Sequence, residues 1–135
     1  LLIVAGLSNS QLSELNELAF ELGMSVLVEI HDALELDRAL AIHPKLLGVN
    51  ARNLKTLEVS LDVCHNLIPH IPEHILAIAE SGISTTDQVE ALVLSGARAV
   101  LVGEALVTGG TPAKTVAEWT QAGIRARENF LLNRS

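Results

Sequence analysis

Three polar residues in this sequence stand where aliphatic runs end. Glu29 follows Ser25-Val26-Leu27-Val28, Asn50 follows Leu46-Leu47-Gly48-Val49, and Glu80 follows Ile75-Leu76-Ala77-Ile78-Ala79. A carboxylate at the end of a buried run costs free energy unless it is paired, hydrogen-bonded or turned towards an open mouth. Where its surroundings raise its pKa towards neutrality, such a group can act as a general acid or base. Asn50 can both donate and accept hydrogen bonds, and Arg52 offers a planar fork for a carboxylate or a phosphate. Plainer explanations compete with each of these. Glu29 would pair with a neighbouring Lys or Arg, Glu80 would be solvated in an ordinary turn, and Arg52 would be a surface charge. His31 reads as a loop or capping neighbour rather than a ligand. His43, His65, His70 and His74 lack the carboxylate or cysteine spacing of a metal site, so no metal is expected.

Two glycine-bearing stretches suggest an anion. They are Ala79-Glu80-Ser81-Gly82-Ile83-Ser84 and Leu101-Val102-Gly103-Glu104-Ala105-Leu106. A glycine after a buried strand lets backbone amides approach a phosphate closely, and the start of a following helix adds the positive end of its dipole. Gly82 and Gly103, on successive strands, suit the phosphate site that barrels build after their seventh and eighth strands. A close-packing glycine explains either one alone.

The elements that must position these residues repeat five times. Strands are expected at Leu2–Ala5, Ser25–Ile30, Leu46–Asn50, Ile75–Ala79 and Ala99–Gly103, each a nearly continuous aliphatic run of the kind buried on both faces. Helices lie between them. Ser8 and Gln11 have capping-box spacing, Leu12, Leu15, Leu18, Ala19 and Leu22 follow at helical intervals, and Gly23 stands where a C-terminal cap belongs. Asp32 caps a second helix carrying Leu36, Ala39 and Leu40, which stops near Pro44. Ser60 caps a third with Leu61, Cys64, Leu67 and Ile68 on one face. Ser84 or Thr85 opens a fourth through Val89, Leu92 and Val93 to Gly96. Thr111-Pro112 opens the last, which carries Val116, Trp119 and Ile124. The tail, Asn133-Arg134-Ser135, is expected to fray.

Strict alternation of strand and helix calls for a parallel sheet with right-handed crossovers. An open doubly wound sheet gathers its ligand at one switch point. A barrel draws its catalytic residues from several strand ends. Polar groups on at least three strand ends favour an α/β fold of the (β/α)8 barrel type. A barrel of about 250 residues needs eight units, and five are present here, so residues 1–135 read as a single partial barrel domain. A chain that opens mid-strand looks like a piece of something longer.

Composition narrows the function. The chain is 49% hydrophobic but only 2% aromatic, so its core is aliphatic. A net charge of -7, without clusters of Lys and Arg, argues against nucleic acid. No apolar run approaches the roughly 20 residues that cross a bilayer, so no membrane partner is expected. The apolar start lacks the basic leader of a signal peptide. Cys64 is the only cysteine. It reads as a small buried hydrophobe in a reducing compartment, which makes the cytoplasm the expected location.

At these stretches the sequence resembles the indole-3-glycerol-phosphate synthases, the barrel enzymes of tryptophan biosynthesis. The resemblance runs through Leu2–Ala5, Val28-Glu29-Ile30-His31-Asp32, Gly48-Val49-Asn50-Ala51-Arg52-Asn53-Leu54, Ala79–Ser84 and Leu101–Leu106. It extends from the family's fourth strand to its final helix. Glu-Ser-Gly-Ile-Ser alone recurs in other phosphate-binding barrels, whereas its combination with the Asn50–Leu54 and Glu29–Asp32 stretches is specific.

The resemblance implies a lyase that closes the indole ring of 1-(2-carboxyphenylamino)-1-deoxyribulose 5-phosphate, losing carbon dioxide and water without cofactor or metal. It makes Glu29 the carboxylate of the dehydration half and Asn50 the residue that orients the substrate, with Arg52 nearby. Glu80 and Ser81 would line the site. Gly82, Gly103 and Glu104 would give backbone amides to the substrate phosphate, Glu104 through its amide rather than its carboxylate. The family's first strand carries a Glu and a Lys, and its third the Lys that is the principal general acid. None of Lys45, Lys55 and Lys114 matches those positions, so these 135 residues alone are expected to be inactive. Open barrel edges would favour self-association or a missing N-terminal half. Two alternatives remain at this point. One is a non-catalytic phosphate-binding half-barrel, and the other is a different phosphate-sugar barrel enzyme such as phosphoribosylanthranilate isomerase.

Overall fold

All five aliphatic runs become strands, and each pairs in parallel with its neighbour in the sequence. The architecture is that of a computed structural model, which describes residues 1–132. The fraying expected at Asn133-Arg134-Ser135 lies outside the described residues. Strands β1 (Leu2–Ile3), β2 (Leu27–Ile30), β3 (Leu46–Asn50), β4 (Leu76–Glu80) and β5 (Ala99–Leu101) form one sheet in the order β1-β2-β3-β4-β5. A doubly wound sheet reverses its strand order at a switch point. Here the order never reverses, which makes this an α/β sheet of barrel type with five of its units.

The helices between them are α1 (Asn9–Glu21), α2 (Ala33–Leu40), α3 (Asp62–Leu67), α4 (Thr86–Leu94), α5 (Glu104–Thr108) and α6 (Pro112–Leu132). Their ends follow the local chemistry. Ser8 and Gln11 form a reciprocal capping box on α1, as Thr85 and Gln88 do on α4, and Asp32 caps α2. Gly23 and Gly96, both with positive φ, close α1 and α4. The amides of Gly23 and Met24 return to Phe20 and Ala19, and those of Gly96 and Ala97 to Val93 and Leu92. That pair of reversed bonds is the Schellman arrangement.

Several boundaries and faces differ from the expectation. β1 stops at Ile3 because Val4–Gly6 turn at once into a 3-10 helix. β2 starts at Leu27, the first residue with a partner on β3. β4 begins at Leu76 and extends to Glu80, whose partner is Asn50, and β5 ends at Leu101, its last contact with β4. Ser60 does not cap α3. Its hydroxyl accepts from the Asp62 amide while the helix begins there, with Leu61 at the cap position. On α1 the buried residues are Leu12 and Asn16, whereas Leu15, Leu18 and Leu22 are exposed. α1 flanks β1, the edge of the sheet, so only one side of it meets a neighbour. On α6 the inward stripe is Trp119, Ala122 and Ala126 against α4. Val116 and Ile124 instead edge an open apolar cavity of about 560 Å³.

The two faces of the sheet are unequal. Val28, Ile30, Leu47, Val49, Ala77 and Ala79 alternate onto the helix side, and all are buried. Leu27, Leu46, Leu76 and Ile78 point the other way and are half-buried. That second face is the inner wall of the barrel. The loop after β1 is tied down by Arg38 of α2, whose guanidinium donates to Val4 O at 3.1 Å, to Leu7 O, and to Asn9 Oδ1 at 2.7 Å. Among the described residues no helix is long and apolar enough to cross a membrane.

Candidate active site

The strand register brings the expected carboxylates together. Glu29 pairs with Gly48, and Asn50 pairs with Glu80 one pleat further along the same inner face. Gly48 has no side chain, and the Glu80 carboxyl lies in the space that a Cβ there would occupy. Through this gap Glu80 on β4 reaches Glu29 on β2, across the intervening strand. Glu29 and Glu80 are 4% and 3% exposed. Neither plain alternative survives, since Glu80 is not solvated and Glu29 meets no Lys or Arg among the described residues.

Burial raises the Glu80 pKa from 4.5 to about 7, with the charge of Glu29 and a hydrogen bond between the two carboxyls adding to the rise. Such a bond needs a proton on one of the pair. Near neutral pH the Glu80 carboxyl is therefore only partly ionised. A carboxyl poised in that range can give or take a proton.

On the other side of Glu29 stands His31. Its Nε2 is 3.3 Å from Glu29 Oε1, and its Nδ1 is 3.1 Å from Glu35 Oε2. This is more than the loop position expected from the sequence. The signal was the i, i+4 spacing of His31 and Glu35 at a helix start, which carries no weight until β2 is known to aim Glu29 the same way.

Asn50 is buried, and its Oδ1 accepts the Arg52 amide at 3.0 Å, which fixes the turn out of β3. The chain then doubles back, pairing Arg52 with Val59. The Arg52 guanidinium donates to Leu57 O at 3.4 Å and sits 3.5 Å from Glu104 Oε2. Arg52 is thus no isolated surface charge, since the Glu104 carboxylate pairs with it.

Arg52, Glu80, Ser81, Gly82, Gly103 and Glu104 share the wall of one open cavity of about 580 Å³ between the ends of β3, β4 and β5. Glu29 and Asn50 are not in that wall. Ser81 and Gly82 both have positive φ, at 68° and 71°. For serine this conformation costs on the order of 1–2 kcal/mol. Gly82 is also pressed by Val59, so packing explains it as well as ligand approach does. Gly103 differs. A Cβ there would meet nothing within 4 Å, so it is not a packing glycine, and it stands at the N-cap of α5 facing open space. The first amides of a helix have no intrahelical acceptor, and those of α5 open beside the cavity.

Cys64 packs on the inward face of α3 as expected. Its thiol donates to Val49 O at 3.3 Å, and burial raises its pKa from 9.0 to about 11.

Both the sequence and the fold have relatives among known proteins. The indole-3-glycerol phosphate synthase of Arthrobacter sp. (strain FB24) is 48% identical over 126 residues, covering 93% of this chain and 46% of that protein. The synthase of Nocardioides sp. (strain ATCC BAA-499 / JS614) is 50% identical over 120 residues, covering 89% and 46%. The chain spans about half the length of the curated relatives it matches. Among solved structures, a chain of the Amycolatopsis orientalis BexX/CysO complex superposes with a TM-score of 0.68 at 24% identity, covering 91% of this chain and 51% of that one. That likeness is one of fold alone. The profile of the family described as indole-3-glycerol phosphate synthase matches residues 1–119, and the chain belongs to that family.

Proposed function

We propose that these residues are the phosphate-binding and carboxylate-bearing half of an indole-3-glycerol-phosphate synthase, a single partial barrel domain over 1–135. The reaction closes the indole ring of 1-(2-carboxyphenylamino)-1-deoxyribulose 5-phosphate with loss of carbon dioxide and water, in tryptophan biosynthesis. The observation that carries this reading is the buried Glu29–Glu80 pair beside the Arg52 cavity. Loss of water needs an acid for the departing hydroxyl and a base for the proton left on the ring. Glu80 and Glu29 supply one of each. Asn50 holds the turn that presents Arg52, and Arg52 and Ser81 contact the substrate. The amides of Gly82, Gly103 and Glu104 take the phosphate at the start of α5. No cofactor enters this chemistry. A half-barrel that only bound phosphate would gain nothing from two carboxyls buried at such a cost.

The test is turnover by a full-length synthase carrying this sequence. Glu29→Gln should lower kcat by about 10²–10⁴, the usual worth of a general acid or base, with little change in KM. An unchanged kcat would strip Glu29 of its role. The 135 residues alone should give no product while still binding phosphate, and turnover by them would overturn the need for the lysines on the family's first and third strands.

Partners are read from the two margins of the sheet. Leu15, Leu18 and Leu22 are exposed on α1 beside β1, and Leu101, Val107 and Val116 are exposed beside β5. These are the surfaces that the other half of a barrel, or a second copy, covers. A monomeric chain in sedimentation at micromolar concentration would remove the second copy. A biosynthetic enzyme with a buried free thiol is assigned to the reducing cytoplasm.

A further inference from the structure

The proposed chemistry leaves a part-buried titratable side chain beside the carboxyl pair without a task. His31 follows Glu29 by two residues and is gripped from one side by α2. Its backbone N–H donates to Glu35 Oε2 at 2.8 Å, and its ring Nδ1 lies 3.1 Å from the same oxygen. Glu35 is itself held, since its amide donates to Oδ1 of the helix cap Asp32 at 2.8 Å. The ring is thereby turned so that Nε2 faces Glu29 Oε1 at 3.3 Å. Both of those atoms are buried, and neither has an aligned hydrogen-bond partner among the described residues.

Donor and acceptor counting limits how the ring can sit. A carboxylate only accepts, so the contact with Glu35 places a proton on Nδ1. Nε2 then either carries a second proton or presents a lone pair. A lone pair facing an ionised Glu29 would set two acceptors against each other in a buried place. A proton on either atom gives the contact between Nε2 and Glu29 a donor and an acceptor. The titratable groups facing His31 are Glu29 from β2 and Glu35 from α2. Asp32 spends an oxygen on the Glu35 amide, and Glu80 of β4 faces Glu29.

We propose that His31 is a positioning residue for the reaction: anchored by Glu35, its ring sets Nε2 against Glu29 Oε1 and keeps that carboxyl aimed. The proposal rests on the reading of Glu29 and Glu80 as the acid-base pair.

Two measurements on a full-length synthase carrying this sequence test it. Long-range proton–nitrogen spectra of the histidine ring should show Nδ1 protonated throughout a pH titration, with Nε2 the nitrogen that loses its proton. Glu35→Gln should abolish that preference. A neutral ring protonated on Nε2 in the parent protein would overturn the arrangement. In the second measurement, His31→Gln and Glu35→Gln should lower kcat about tenfold at pH 7 with less than a twofold change in KM. They should also move the acid limb of the kcat profile about one unit upward, because the ring nitrogen beside Glu29 is lost or misdirected. Loss of kcat equally at every pH would mark a merely structural residue and overturn the proposal, as would profiles that superimpose on the parent. A parent that fails to turn over sinks the assigned reaction, while the ring spectra still decide the placement of His31.

Discussion

Glu80 folds its carboxyl over Gly48, into the space that any side chain at that position would need. This one glycine lets a residue on β4 reach a residue on β2, two strands away. Gly48→Ala should leave the fold intact, because the atoms it displaces are the far end of a flexible side chain. It should separate the two carboxyls and lower kcat of the full-length synthase at least tenfold, within the range that acid-base groups contribute. A Gly48→Ala enzyme with parental kcat would show that the reaction does not use their contact.

The stability of the chain should fall as pH rises through the carboxyl's range. Glu80 titrates at 4.5 when unperturbed and at about 7 in the folded protein. Between those values the native state binds more protons than the unfolded state, so stability declines from about pH 4.5 to 7 and levels off above. At 1.36 kcal/mol per unit the loss is at most about 3 kcal/mol. Glu80→Gln cannot ionise, and its urea midpoints at pH 5 and pH 8 should differ much less than those of the parent. Equal pH dependence in the two proteins would place the perturbed acid elsewhere.

Phosphate binding should respond in opposite directions to the two partners of one ion pair. Arg52 and Glu104 are partly and largely exposed, so their attraction is worth about 1 kcal/mol or less. A phosphate in the cavity must draw the guanidinium away from Glu104. Glu104→Gln removes both a competitor and a like charge, and should tighten inorganic phosphate by about fivefold. Arg52→Ala should weaken it about tenfold. Calorimetric titration checks both, and identical affinities in all three proteins would remove Arg52 from the site.

The thiol of Cys64 should be silent until the protein opens. With a pKa raised to about 11, roughly one thiol in a thousand is ionised at pH 8, and the thiolate is the reactive form. Labelling by an aromatic disulfide reagent should accelerate more than about a hundredfold beyond the unfolding midpoint. Rapid labelling of the native protein would contradict the packing of α3 on β3.

Much of the frame is legible in the residues, because it rests on local rules. Ser8 with Gln11, Asp32, Gly23 and Gly96 mark helix ends by their own chemistry, and the aliphatic runs mark buried strands. The faces of α1 and α6 are not legible in that way. Leu15 and Leu18 on α1, and Val116 on α6, have the right period, but which stripe is covered depends on what stands beside the sheet edge. The site divides similarly. Glu29, Asn50 and Glu80 announce themselves as polar endings of apolar runs. Gly48 and His31 matter only through register, since one clears a path for a side chain from the next strand and the other faces Glu29 from the loop. A single sequence encodes register in the packing of the whole sheet, so neither role can be read before the sheet is built.

The unbroken strand order has a kinetic side. Every ladder joins consecutive units, so each strand can dock on the one just before it, and assembly proceeds with short loop closures. The carboxyl pair is different, because it spans β2 to β4 and needs three consecutive units in place at once. A refolding chain should therefore recover its helical signal before Glu80 acquires its raised titration, and the site should be among the first features lost when any middle unit loosens. The backbone is assembled by neighbours, while the chemistry waits for a longer reach.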